Sequence, residues 1–290
     1  MTMQTATLCR FTAGPDRDAR VGLVEDGSVR DLTTVVGRRL DDLLERIDLA
    51  ELLATARQAA LPEWPLDRVR LLTPVESQEV WAAGVTYLRS KQARMDESDF
   101  SARAYDHVYE AARPEIFFKS PPHKVVASGD AVGIRQDARW SVPEPELALV
   151  MSSTGRVVGY TIGNDMSSRD IEGENLLYLP QAKIYSRSCA IGPWIIVGPT
   201  EQDARDWTVQ LQIRRNGAMA FDGETRIDQL KRTFGELVEH LFRSQAFPAG
   251  AVLLTGAGIV PDDTFTLNAG DTVRITISGI GSLENPVIVV

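Results

Sequence analysis

Ser141-Val-Pro-Glu-Pro-Glu-Leu-Ala-Leu-Val150 sets two glutamates, Glu144 and Glu146, at the head of an apolar run. Successive side chains of a strand point to opposite faces, so these two project together. A third acid, Asp165, closes Gly159-Tyr-Thr-Ile-Gly-Asn-Asp165, a second β-like run. A buried carboxylate with no cation nearby is costly and stays protonated. A hard divalent ion removes that cost, and an all-oxygen set of Glu144, Glu146 and Asp165 suits Mg²⁺, Mn²⁺ or Ca²⁺ better than zinc. The alternative is a solvated edge strand with two surface glutamates, since Glu-x-Glu is a common spacing.

Working outward, short β-like runs punctuated by Gly and Asp surround these acids: Val125-Val126, Ala131 to Ile134, Leu147 to Met151 and Val157 to Ile162. Val21 to Arg30 predicts a hairpin around Asp26-Gly27. Leu40 to Ala60 carries apolar residues at helical spacing, and Leu61-Pro-Glu-Trp-Pro65 follows as a connector. Asp96 to Ala112 predicts a helix that stops before Pro114. Ile227 to Ser244 predicts another, with Leu230, Phe234, Leu237 and Leu241 on one face. Thr264 to Ser278 alternates as strand, turn, strand. The pattern is α+β with a β-rich core, not alternating βαβ units. It divides into a small N-terminal α/β unit over residues 1–70 and a main body over 71–290.

Composition narrows the function classes. The 290 residues are 43% hydrophobic and 24% charged, as in ordinary globular proteins. No apolar run approaches the ~20 residues that span a bilayer. The N-terminal stretch lacks a basic region and a long apolar one, and Cys9 and Cys189 are too few for a disulfide framework; both point to the cytoplasm. A net charge of −9 disfavours nucleic acid and anionic membranes as partners. An anionic small substrate remains open, because a metal or local cations override the global charge. No Gly-x-Gly-x-x-Gly opens a helix, so a dinucleotide is not expected.

The order of motifs resembles the fumarylacetoacetate hydrolase family. The pieces are Gly84-Val-Thr-Tyr87, Phe117-Phe-Lys119, Glu144 with Glu146, Gly159 to Asp170, Lys183, Gly192-Pro-Trp194 and Leu254-Thr-Gly256. They run in order over roughly residues 80 to 290. The resemblance implies a mixed β-roll or barrel catalytic domain behind a small N-terminal domain, assembled as a homodimer or larger. It also implies Mg²⁺ or a similar ion on Glu144, Glu146 and Asp165, with Lys183 beside it. One departure matters. Carbon–carbon hydrolases of this family carry a His–Glu pair that activates water; here Ser90 and Ala93 stand in those places.

The sugar-acid dehydratase branch, acting on 2-keto-3-deoxy-D-arabinonate (D-xylonate), is matched instead by Gly84 to Ser90, Tyr105 to Lys119 and Ser168 to Lys183. That likeness implies Glu115 as catalytic acid/base and 2,5-dioxopentanoate as product. Lys183 would neutralise the ligands, hold the substrate carboxylate or donate a proton; a Schiff base or a structural salt bridge are its alternatives. Lys119 falls on Glu115's face if the stretch is a strand, so it would pair with Glu115 as a further catalytic residue or form a simple structural ion pair. Arg89 and Ser90 would line the substrate entrance, Gln181 would bond the substrate or cap a loop, and Thr255 with the Gly256 amide would hold the substrate carboxylate. Arg169 and Asp170 read as structural. The rivals are a hydrolase that releases pyruvate from a 2,4-diketo-3-deoxy sugar acid, and a catalytically silent scaffold.

Overall fold

The computed structural model describes residues 4–14, 17–88 and 107–290. Among them an 11-stranded sheet runs in the order Glu63–Pro65, Ser28–Asp31, Arg20–Glu25, Ala6–Thr12, Cys189–Val197, Val157–Asp165, Pro145–Met151, Ala251–Leu254, Glu79–Gly84, Glu115–Ser120. Arg70–Leu72 pairs off this path with Ala6–Thr12. Neighbours are antiparallel except Ala251–Leu254 with Glu79–Gly84. A 5-stranded sheet, Ala218–Arg226, Thr208–Arg215, Thr272–Ile277, Gly281–Val289, Val132–Ile134, stacks on it. No described helix is long and apolar enough to cross a membrane.

The central strand Pro145–Met151 is buried along its whole length. Leu147, Leu149 and Met151 enter one core with Leu211, Ile213 and Ile275 of the smaller sheet and with Phe234 and Leu237 of the helix Phe234–Phe242. Ala148 and Val150 enter a second core with Leu8, Leu23, Leu43 and Leu53 from the N-terminal segment. A strand covered on both faces reads as a continuous apolar run, and that is how this stretch reads. By the same alternation Glu146 shares the face of Ala148 and Val150. The solvated edge strand is therefore excluded: Glu144 and Glu146 lie in the interior.

The hairpin Arg20–Glu25/Ser28–Asp31 forms as expected, with Asp26 and Gly27 at positive φ of 48° and 76° in its turn. Three expectations are corrected. The helix over Leu40–Ala60 is broken into Leu40–Leu44 and Leu49–Gln58. Between them the Glu45 carboxylate accepts from Ser153 N and Oγ at 2.6 and 2.7 Å, and Arg156 donates to Leu44 O and Arg46 O. Bonds from outside thus satisfy the end of the first helix.

The helix over Ile227–Ser244 begins only at Phe234. Lys231 N donates to Thr86 O at 3.0 Å and Leu230 bridges Tyr87, which draws the chain out of helical register. Thr233 then restarts it, its hydroxyl accepting from Glu236 N at 3.1 Å. The C-terminal hairpin is Thr272–Ile277 with Gly281–Val289 rather than a strand from Thr264. Asp262 ties down Thr264 N, and Asp271 ties down Asn268 N, so residues 264–268 follow side chains and not a ladder. The expected helix over Asp96–Ala112 lies mostly outside the described residues, and its end, from His107 to Glu110, is helical.

Thr233→Ala removes the cap of the Phe234–Phe242 helix. It should cost about 1 kcal/mol and lower Tm by roughly 2–4 °C in a thermal melt. An unchanged Tm would mean that packing of Phe234 and Leu237 alone starts the helix.

Candidate metal centre and active site

Glu144, Glu146 and Asp165 converge because their two strands are neighbours in the sheet. Gly163 lies opposite Glu146, and Asp165 N donates to Glu144 O at 2.9 Å. One oxygen from each carboxylate can be chosen so that all lie within 4.8 Å of one another. The three side chains are 4%, 2% and 1% exposed. Glu146 accepts from Gly256 N at 2.5 Å, and no cation pairs with it among the described residues. Burial, reinforced by Asp165 and Glu144, pushes its carboxyl well above the usual range; Lys183 and the Gly256 amide pull the other way. Three acids crowded out of water ask for a divalent cation. An oxygen-only donor set fits Mg²⁺.

Three buried cations surround the acids. Lys183 ends the helix Leu179–Lys183 and donates to Glu144 Oε2 at 2.7 Å, Asp165 Oδ2 at 3.1 Å and Ser167 Oγ at 2.6 Å. Those three acceptors are of the number that an ammonium's N–H bonds can serve. Arg169 Nη2 reaches Glu144 Oε1 at 2.7 Å. Lys119 Nζ meets Asp165 Oδ1 at 2.5 Å and donates to the carbonyls of Met166 and Lys183. A small cavity of about 10 Å³ opens on this cluster, lined also by Gly84, Phe117 and Ala257.

The expected Lys119–Glu115 pairing is corrected. Along Glu115–Ser120, Val80 faces Ser120 and Trp81 faces Phe118, which leaves Lys119 as the extra residue of a β-bulge. A bulge re-aims a side chain, and Lys119 is turned to Asp165. Fully buried, it is not a wall of the cavity. Glu115 instead lies opposite Gly84, a lining residue of the cavity, and is half-buried. A Cβ at Gly84 would stand 2.1 Å from Glu115 Oε2.

Two further expectations change. The Thr255 hydroxyl donates to Leu147 O at 2.9 Å and the Gly256 amide is taken by Glu146, so both donors are spent within the protein and not on a substrate carboxylate. Gln181 is exposed, and the fold does not bring its side chain to the cavity. Arg89, Ser90 and Ala93 lie outside the described residues. Sequence reading missed Arg169 and Ser167 as parts of the cluster. Their signal was an Arg and a Ser four and two residues beyond Asp165 in a segment too polar to be buried without partners.

The chain is similar to several known proteins. A family model described as "Fumarylacetoacetate (FAA) hydrolase C-terminal" matches residues 79–288. A Haloferax volcanii protein named "probable 2-keto-3-deoxyxylonate dehydratase" is 49% identical over 214 residues, 74% of this chain and 73% of its own. The 2-dehydro-3-deoxy-D-arabinonate dehydratase of Saccharolobus solfataricus is 39% identical over 233 residues, 79% and 78% of the two chains. A solved structure described as 2-keto-3-deoxy-D-arabinonate dehydratase complexed with magnesium and 2,5-dioxopentanoate superposes with a TM-score of 0.82 at 31% identity, covering 98% of this chain and 99% of that one.

Added Mg²⁺ should raise Tm, and Glu146→Gln should abolish that rise. Without metal the variant should melt no lower than the parent, because an amide removes a buried, repelled acid. A Glu146→Gln protein that still gains stability from Mg²⁺ would exclude Glu146 as a ligand.

Proposed function

This chain belongs to the fumarylacetoacetate hydrolase family, and on that footing we propose that it converts a 2-keto-3-deoxypentonate (2-dehydro-3-deoxy-D-arabinonate, equivalently D-xylonate) to 2,5-dioxopentanoate. The reaction class is that of a Mg²⁺-dependent hydro-lyase. One observation carries the reading to this chain's own residues: the Glu115 carboxylate lies against Gly84, which lines the same cavity as Glu144, Glu146 and Asp165.

Glu144, Glu146 and Asp165 would hold Mg²⁺, which when bound would supply a Lewis acid for the 2-keto group and so make the C3 protons more acidic. Glu115 takes a C3 proton. The electron pair left behind forms the C3–C4 double bond as the C4 hydroxyl departs with a proton as water. A proton then leaves C5, and protons return to C3 and, as the C5 enol becomes an aldehyde, to C4. The net change is loss of one water, and no electrons are exchanged with a redox cofactor. Lys183 holds Glu144 and Asp165 and offers a positive charge to the substrate carboxylate. Lys119 and Arg169 act behind it, fixing Asp165 and Glu144. Ala83, Val85, Phe117 and Ala257 make the apolar part of the wall.

A cytoplasmic setting and a homodimer or larger assembly go with this reading. Cys9 and Cys189 are both buried free thiols, which suits a reducing compartment.

NMR of a 2-keto-3-deoxypentonate incubated with protein and Mg²⁺ should show 2,5-dioxopentanoate. A 2,4-diketo-3-deoxy acid should yield no pyruvate, and stoichiometric pyruvate would turn the assignment to carbon–carbon hydrolysis. Glu115→Gln should lower kcat about 10²–10⁴-fold while Mg²⁺ affinity survives; near-normal turnover would remove Glu115 from the mechanism. Gly84→Ala should act the same way, since the added methyl occupies the space of the Glu115 carboxylate. Full activity in that variant would show that Glu115 works from another position.

A further inference from the structure

We infer that Lys231 and Arg232 form a positioning clip that sets Glu115 for proton transfer; the inference rests on the role proposed above for Glu115. Neither residue touches the cavity. Both lie in the short connection that breaks the chain out of helix before Phe234.

The clip has two jaws. On one side its backbone holds the exit of strand Glu79–Gly84: Lys231 N donates to Thr86 O at 3.0 Å, and Leu230 bridges Tyr87. On the other, its side chains hold the entry to strand Glu115–Ser120. Arg232 Nη2 donates to Ala111 O at 2.6 Å and Val108 O at 3.3 Å. Lys231 Nζ donates to Tyr109 O at 2.6 Å, meets Glu110 at 2.8 Å and sits 4.1 Å from the centre of the Tyr109 ring. The last register pair between these two strands is Gly84 with Glu115. The clip therefore ties the two chains together just past the pair that carries the proposed base.

The clip is itself anchored. Arg232 is 7% exposed and pairs with Glu236, while Arg205 donates to Leu230 O at 3.1 Å and Arg232 O at 2.7 Å. Arg205 is held in turn by Glu201, whose carboxylate also accepts from Phe234 N at 3.1 Å. A buried guanidinium spent on main-chain carbonyls of a distant segment costs side-chain freedom and desolvation. Ala111 is four residues from Glu115, so that expenditure fixes the approach to the base. The metal ligands stand on other strands, which separates the clip from metal binding.

The test reads the base step alone. 2-Oxopentanoate has C3 protons but no C4 hydroxyl, so with Mg²⁺ in D₂O it should exchange at C3 without dehydrating, as followed by NMR. Arg232→Met should slow this exchange and kcat on the pentonate by about 10–100-fold, with Mg²⁺ affinity and KM unchanged. Arg232→Lys should recover part of the loss, and adding Lys231→Met to Arg232→Met should cost less than the product of the two single losses. Should Arg232→Met fail to fold, Lys231→Met alters a surface side chain and carries the same measurements. Unchanged exchange in the folded variant, or a loss of exchange that follows a loss of Mg²⁺ affinity, would overturn the clip. Exchange by the parent protein without dehydration of the pentonate would sink the proposed reaction and leave the clip standing. A parent protein that exchanges no C3 proton would overturn both.

Discussion

The site depends on burying three carboxylates beside one another. Like charges at this separation repel strongly once water is removed, and Glu146 shows the strain as a carboxyl held well above its ordinary range. Lys183 is the principal relief. Placed between Glu144 and Asp165, it offsets repulsion on two acids at once. Arg169 takes the other oxygen of Glu144, and Lys119 takes the other oxygen of Asp165. Three acids and three bases thus balance, and Mg²⁺ would leave the centre cationic. A cationic floor in a chain of net charge −9 is what an anionic keto acid requires.

The arrangement also explains why supporting residues outnumber reacting ones. The ladder sets which way the three acids face, but they lie close to strand ends, and their carboxylate groups extend beyond the backbone that it fixes. Each is consequently held by a second group: Glu146 by the Gly256 amide, Glu144 by Arg169, Asp165 by Lys119. Hydrogen-bonded supports of this kind fix geometry before substrate arrives and save reorganisation during reaction.

Much of this was legible in the sequence, and the limits have physical causes. The alternation of Glu144 and Glu146 with an apolar run is a local, period-two signal, as is the Asp26-Gly27 turn. The order of motifs identified the family and, through Ser90 and Ala93, its branch. The bulge at Lys119 escaped because one extra residue against a partner strand leaves no trace in a single chain. Thr255 and Gly256 were assigned to substrate because a strand-end Thr-Gly presents the same donors to a ligand as to Glu146. The helix starting at Phe234 was drawn too early because Leu230 has helical spacing, while Thr86, which draws that turn away, is 145 residues distant. Arg169 read as structural because its position after Asp165 signals a buried partner without saying that the partner is Glu144.

The pairing of Ala251–Leu254 with Glu79–Gly84 bears on how the protein acquires its site. This parallel contact closes a loop of well over half the chain; Thr86 Oγ1 bonds Thr255 O across 169 positions. Contacts of such range carry a high loop-closure entropy and tend to form slowly. Gly256 lies two residues past this strand, so the amide that holds Glu146 arrives only with the closure. If that closure comes after the rate-limiting step, an ion that needs the finished site cannot speed folding. It would act chiefly as a brake on unfolding, so that magnesium lengthens the lifetime of the native state and leaves its time of formation alone.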